Sequence, residues 1–308
     1  MLKIAYDPIY CHPLPRSPNG EPHRFPMLKY ELIPEQLLYE GTCTVEHFFA
    51  PRQLDERWIL GVHTWEYWQD LKQLRISDKM VRRIGFPLSA QLIERETRIA
   101  QGTIECCHFA LENQIAMNVA GGTHHAYPNR GEGFCLLNDV GIAANYLLEN
   151  QLATKILVVD LDVHQGNGTA VMFQEEPRVF TFSMHGKDNY PLQKETSDLD
   201  IALPTNTQDD DYLRLLYETL PALIEQQKPD FVFYISGVDI LETDKLGKLK
   251  VSQAGCRRRD EFVFEQCRQH QIPVVVSMGG GYSPRLVDIV EAHCNTYRVA
   301  QRLYFWTP

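Results

Sequence analysis

No apolar run in the chain approaches the ~18–20 residues of a membrane span, and the opening MLKIAYDPIY has neither an apolar signal region nor a cleavage site. A basic surplus is also missing: 30 Lys and Arg face 40 Asp and Glu, a net charge of −10. Nucleic acids and anionic membrane surfaces require basic footprints, so neither is expected as a partner. An acidic rim would tolerate a cationic substrate. The eight cysteines are scattered, apart from Cys106-Cys107. A chain this long does not depend on disulfide staples, so they read as reduced thiols in a cytoplasmic protein. There is no internal repeat, no low-complexity segment and no signal for an oligomeric state.

What is present is enough sequence for a large core. Its 308 residues could form one large α/β domain or two smaller ones, and the hydrophobic share of 44% is that of a globular protein. The first fifty residues are Pro-rich and read as irregular. CHPLPRSPNGEPHRFP cannot be helix or central strand, because proline removes donors and fixes φ. This stretch is expected to wrap over a surface or a site entrance, with 51–308 as the core of a single domain. Residues 88–118 read as helices interrupted near Gly102. Residues 140–150 form another, capped by Asn138 or Asp139.

Further on, KILVVDLD, RVFTFSMH, FVFYISGVD and PVVVSMGGG are nearly continuous apolar runs. Helical patterns over 211–227 and 256–269 lie between them, and a last helix over 284–304 closes the chain. Continuous apolar strands alternating with helices predict an α/β fold, a mostly parallel sheet with helices on both faces. Ligands in such sheets bind outside the carboxyl ends of the strands.

The unusual residues sit at those ends. Asp160, Asp162 and His164 follow one strand at i, i+2 and i+4, so they share a side while the backbone stays extended. Carboxylates so close would repel and resist burial unless a cation sat between them. Oxygen and imidazole donors together suit Zn²⁺, or Fe²⁺. Taken alone, the pattern equally fits acids that cap the next helix. Gly121-Gly122-Thr123-His124-His125 could alone be a loop, but beside a metal the histidines have the right pKa for proton transfer. Asp239 ends another apolar strand. Gly279-Gly280-Gly281 lets the backbone approach a ligand and aims Tyr282. The run lacks the lysine and spacing of a phosphate loop.

Taken in order, Tyr6-Asp7, GGTHHA, GEGFCLLND, VVDLDVHQGNG, SGVDILETDKLG and GGGY resemble the zinc-dependent histone deacetylases of the arginase–deacetylase superfamily, across nearly the whole chain. The forms DLDVHQGNG and DILETDKLG look most like the class IV branch and its bacterial relatives. Other members usually carry a second His and a second Asp where Gln165 and Asn167 stand. The resemblance implies that Asp162, His164 and Asp239 ligate Zn²⁺, leaving a fourth position open. It also implies that His125 is the base, that His124 is its electrostatic and proton-donating partner, and that Tyr282 donates to the oxyanion. Asp160 would orient His124, and Asn167 would orient His125. A K⁺ site would use Asp160, Asp162 and Ser183 with the carbonyls of His164 and Met184, and the carbonyls of Phe173 and Val179 would hold a second cation. Gly133 and Phe134 would form one wall of an acyl-lysine channel and Tyr190 part of the other, with Arg24 helping acetate leave. The implied substrate is an acylated lysine or a small acylated amine.

An arginase-like ureohydrolase would need a second metal and further aspartates. Asn167 removes one of these, and no DxxDP follows Asp239. A non-catalytic acyl-lysine-binding protein would be expected to have lost Tyr282 or a ligand, and all are present. Cys106-Cys107-His108 point in different directions on a helix, which disfavours a metal role. Arg257-Arg258-Arg259 read as a solvated helix face. Trp58, Trp65, Tyr67 and Trp68 read as packing, and His185 stays ambiguous near a strand end.

Overall fold

In the computed structural model, which describes residues 1–16 and 19–306, eight strands form one sheet whose neighbours all run parallel. They are β1 (Lys3–Ala5), β2 (Phe48–Phe49), β3 (Ile115–Asn118), β4 (Ile156–Asp160), β5 (Val179–Gly186), β6 (Leu199–Leu203), β7 (Phe231–Ile235) and β8 (Val274–Ser277). Their order across the sheet is β2-β1-β3-β8-β7-β4-β5-β6. Every residue of β3, β4, β7 and β8, four adjacent strands, is buried. Burying one Val, Ile or Phe side chain contributes ~1.5–3 kcal/mol, so both faces of these strands are apolar and no alternation is left in the sequence.

The helices among the described residues are α1 (Lys29–Tyr39), α2 (Glu56–Leu60), α3 (Trp65–Lys72), α4 (Asp78–Ile84), α5 (Ala90–Asn113), α6 (Asp139–Glu149), α7 (Asn167–Phe173), α8 (Asp209–Gln227), α9 (Gln253–Gln269) and α10 (Leu286–Tyr304). They pack as two groups, α2, α3, α5, α6 and α7 in one and α1, α8, α9 and α10 in the other. The α/β expectation holds.

From β4 the chain moves outward to β5 and β6, then returns to β7 on the other side of β4. Strand order therefore reverses between β4 and β7, and a crevice opens at their carboxyl ends. Asp162 and His164 follow β4, and Asp239 follows β7.

Three expectations need correction. Gly102 does not interrupt a helix: α5 runs unbroken through it. A Cβ there would lie 2.7 Å from Tyr10 Oη and 3.0 Å from Asn118 Nδ2, so this glycine is where the helix meets its neighbours. The first fifty residues are not irregular throughout, since they contain β1, α1 and β2, with Pro34 inside α1. The Pro-rich stretch itself has neither helix nor strand over 11–16 and 19–26; Ser17 and Pro18 lie outside the described residues. Finally, Arg257-Arg258-Arg259 is not one solvated face, because Arg259 is fully buried.

Candidate metal centre and catalytic cleft

The four strand ends beside the switch point deliver the chemistry to one place. Ligand atoms of Asp162, His164 and Asp239, all buried, lie within 4.8 Å of one another. His164 Nδ1 is 3.0 Å from Asp162 Oδ1 and 3.1 Å from Asp239 Oδ2. Such separations suit donors sharing one ion at bonds of ~2.0–2.2 Å. Backbone amides hold the carboxylates in place: Gly280 N donates to Asp162 Oδ2 (2.6 Å) and Val163 N to Asp239 Oδ1 (3.0 Å).

The electrostatics ask for a cation. Burial and then Asp162 push Asp239 up to about 7. Burial opposes a charge on His164, yet bonds to Asp162 and Asp239 raise it to about 10, as expected where two carboxylates face one another without a counter-charge. Two carboxylates and an imidazole form a donor set that Zn²⁺ or Fe²⁺ fits.

The glycine turn after β3 presents the histidine pair. Gly121 and Gly122 have φ of +85° and +67°, and a Cβ on Gly121 would lie 2.3 Å from Asp139 Oδ2. Asp139 organises this turn, accepting from Thr123 N at 2.9 Å and from Ser277 Oγ at 3.0 Å. The helix cap falls to Asn138, whose Oδ1 accepts from Gly141 N. His124 Nδ1 meets Asp160 Oδ2 at 2.7 Å, and His125 Nδ1 meets Asn167 Oδ1 at 2.6 Å. Both rings therefore keep Nε2 for the cleft. Burial disfavours a charged His124, but Asp160 and Asp162 overcome this and raise it to about 9. His125 goes the other way: burial, then His124 and His164, hold it well below its ordinary value. The surroundings thus favour the charged form of His124 and the neutral form of its neighbour His125.

Tyr282 follows Gly281 (φ +155°), with its ring 6.3 Å from that of His164. Burial, then Asp239 and Asp162, hold its phenol well above the ordinary range, so it stays a donor. Its amide donates to Asp244 Oδ2 at 2.6 Å, and Asp244 Oδ1 accepts from the amides of Leu246 and Gly247. A cavity of about 310 Å³ reaches His125, His164 and Tyr282 and is lined by Gly133, Phe134 and Tyr190. Tyr190 stands edge-on to His125 with ring centroids 5.0 Å apart, and Phe134 packs against Phe25 and Phe86.

The structure brings Asp160, Asp162, His164, Asp239, His124, His125, Asn167 and Tyr282 together. Ser183 lies opposite Asp160 across the β4–β5 ladder, with Met184 next to it. Arg24 and Arg95 lie at opposite ends of the cleft. Arg24 is exposed at the mouth, 4.8 Å over the Phe134 ring, whereas the arginine lining the inner end of the cleft is Arg95. His185 is buried against Ser183 and Asp200, and burial lowers it to about 4. Cys106 and Cys107 are buried while His108 is exposed, so the three do not converge. Tyr67 and Trp68 are core residues, but Trp65 is 61% exposed and does not pack as expected.

Sequence reasoning missed several supports. Arg259 Nη1 donates to the carbonyls of Gly237 (2.5 Å) and Leu161 (3.3 Å), bracing the turns that carry Asp239 and Asp162. Gln165 Nε2 donates to Glu195 O and Asp200 Oδ1, so this departure from the usual His is a latch onto the chain around β6. Lys29, fully buried, donates to Gly279 O at 3.1 Å, and burial lowers it to about 8. Glu132 meets Asn167. None has a local signal, because each partner lies far away in sequence, except the GEGFC string that contains Glu132.

A parallel α/β sheet carries, at its switch point, a buried Asp-His-Asp donor set that could hold a metal ion, beside a paired-histidine cleft. The histone deacetylase domain model matches residues 21–297, and the chain belongs to that family. It is 44% identical over 301 residues to an uncharacterized protein of Picosynechococcus sp., covering 98% of this chain and 99% of that one. It is 30% identical over 273 residues to Histone deacetylase 2 of Arabidopsis thaliana, covering 84% and 70%. It is 25% identical over 301 residues to the acetoin utilization protein AcuC of Staphylococcus aureus, covering 91% and 77%. The crystal structure of the HDA15 HD domain shares the fold, with a TM-score of 0.81 at 21% identity over 96% and 90% of the two chains.

Proposed function

We propose that this chain is a zinc-dependent amidohydrolase that removes the acyl group from an acylated lysine side chain or a small acylated amine. The observation that carries the reading is the convergence, on one cleft, of the Asp162-His164-Asp239 donor set, a neutral His125 beside a cationic His124, and Tyr282. Deacetylase relatives over most of the chain support acyl-amide hydrolysis as the reaction class. Gln165 and Asn167 favour the class IV branch. No helix among the described residues is long and apolar enough to cross a membrane; a cytoplasmic site of action rests on the scattered cysteines, all free.

Bound by its three ligands, Zn²⁺ (or Fe²⁺) would supply Lewis acidity to the amide carbonyl and to a water beside it. His125 takes a proton from the attacking water at Nε2, because its Nδ1 is committed to Asn167. Tyr282 donates its hydroxyl to the carbonyl oxygen as that atom gains charge, and losing such a donor costs ~10²–10³-fold in rate. His124, held cationic by Asp160, stabilises the same charge and returns a proton to the departing amine. Gly133, Phe134 and Tyr190 line the approach and keep water from the methylene chain. Asp160, Asp162 and Ser183 with the carbonyls of His164 and Met184 would hold K⁺.

The test is a fluorogenic panel of acyl-lysines of increasing chain length, with acetylated polyamines, on protein of measured metal content. Turnover of at least one amide is expected. Zinc-loaded protein inactive on every member would contradict the proposal.

A further inference from the structure

We propose that Glu132 is a positioning residue that supplies, one side chain removed, the negative charge Asn167 does not bring to His125; this rests on the reading of His125 as the base. The geometry fixes the direction of every bond. The Asn167 amide nitrogen donates to Glu132 Oε1 at 2.8 Å and to Tyr127 Oη at 2.9 Å. Both its N–H bonds are thereby used, so its carbonyl must face His125, which meets it at 2.6 Å. The His125 proton then sits on Nδ1, and Nε2 is bare toward the cleft.

Glu132 is 3% exposed, a burial that a carboxylate tolerates only with partners. Arg83 Nε provides one at 3.0 Å and is itself 54% exposed. Arg130 Nε lies at 3.8 Å, and Tyr190 stands near enough for the carboxylate to perturb its phenol. Around His125 stand His124, His164, Asp162 and Tyr190, in addition to Asn167. The base is thus linked through Asn167 and Glu132 to Arg83, one of the residues lining the cleft mouth.

Glu132 and Asn167 are therefore a matched pair. An aspartate at position 167 would place two carboxylates ~3 Å apart, where like charges cannot both persist. A glutamine at position 132 can still accept from Asn167 but carries no charge. With both changes, the carboxylate introduced at position 167 would accept from His125 and from the amide introduced at position 132. That exchange restores the bonds between position 167, His125 and position 132, gives up only the one to Tyr127, whose hydroxyl proton already goes to Glu195, and puts the charge next to the base.

The experiment compares wild type, Glu132→Gln, Asn167→Asp and the double variant, using full-length zinc-loaded protein and one hydrolysed acyl-lysine. Each single variant is expected to lose about 10- to 100-fold in kcat with KM held, the usual loss for a partner of this kind. The acidic limb of the pH–rate profile should fall in Glu132→Gln, because an imidazolium without a nearby anion forms less readily. The double variant should recover most of the rate and move that limb up. Melting temperatures form a parallel cycle that needs no activity: Asn167→Asp loses stability, and Glu132→Gln restores it. An unshifted pH profile and kcat in Glu132→Gln, or a double variant no better than Asn167→Asp, would overturn the proposal. If the wild type hydrolyses no amide, the role toward His125 falls with the proposed function. Additive melting shifts would show separately that the pairing itself is wrong.

Discussion

Tyr282 is placed by a carboxylate, not by a helix or strand. Its amide bonds to Asp244, which also accepts from the two amides that tighten its own turn. Replacing Tyr282 by Phe is expected to lower kcat ~10²–10³-fold while leaving metal content unchanged, as steady-state kinetics and metal analysis would show. Asp244→Asn should lower kcat less, by loosening the Gly281–Tyr282 backbone without removing the hydroxyl. A variant as inactive as Tyr282→Phe would mean that Asp244 does more than aim the loop. The metal ligands, the histidine pair and Tyr282 could be read in the sequence because acids, histidines and glycine runs at the ends of apolar strands are out of place there. Asp244, Asp139, Arg259 and Lys29 could not, because each looks ordinary until folding brings a remote backbone amide or carbonyl to it.

Among the elements, α6 is tied at its start to the segment that carries the cleft. His63 Nδ1 donates to Tyr127 O (3.0 Å) and its Nε2 accepts from Asn138 N (3.0 Å), so the ring must stay neutral, and burial lowers it to about 4. A group depressed on folding contributes stability above its unfolded value, near 6.5, and loses it as pH falls toward the folded value. Unfolding free energy should therefore drop between pH 6.5 and 4, by an amount on the order of 2–3 kcal/mol for this residue, and His63→Gln should flatten that part of the stability curve. On the outer surface, Arg298 of α10 clasps Glu40 at the end of α1 (2.6 Å) and Glu291. Arg298→Ala is expected to cost only about 1 kcal/mol in denaturant unfolding, since the pair is partly solvated. The same chemistry decided what sequence patterning could reveal. β4, β5, β7 and β8 stood out as apolar runs, whereas β1 and β2 are only two or three residues long, β3 is short and ends in a polar residue, and β6 is mostly half-buried and interrupted by Asp200. Gly102 looked like a break because its packing role depends on Tyr10, far away in sequence.

For the molecule as a whole, the reversal of strand order between β4 and β7 creates the crevice, and four adjacent strand ends fill it with ligands and bases. Parallel sheets announce themselves through continuous apolar strands, so the architecture was legible; the position of the switch point was not, because strand order depends on contacts between distant segments. A buried, net-negative donor set of this kind would couple metal binding to folding. Chelation should lower the melting temperature and zinc should restore it, because two buried carboxylates lose their counter-charge. The most direct measurement is bound zinc per chain alongside acyl-lysine hydrolysis, in wild type, Asp239→Asn and His164→Ala. One equivalent in the wild type, lost together with activity in both variants, is the expected result. Full hydrolysis by metal-free protein, or by variants that no longer bind zinc, would contradict the assignment of Asp162, His164 and Asp239 as the catalytic metal site.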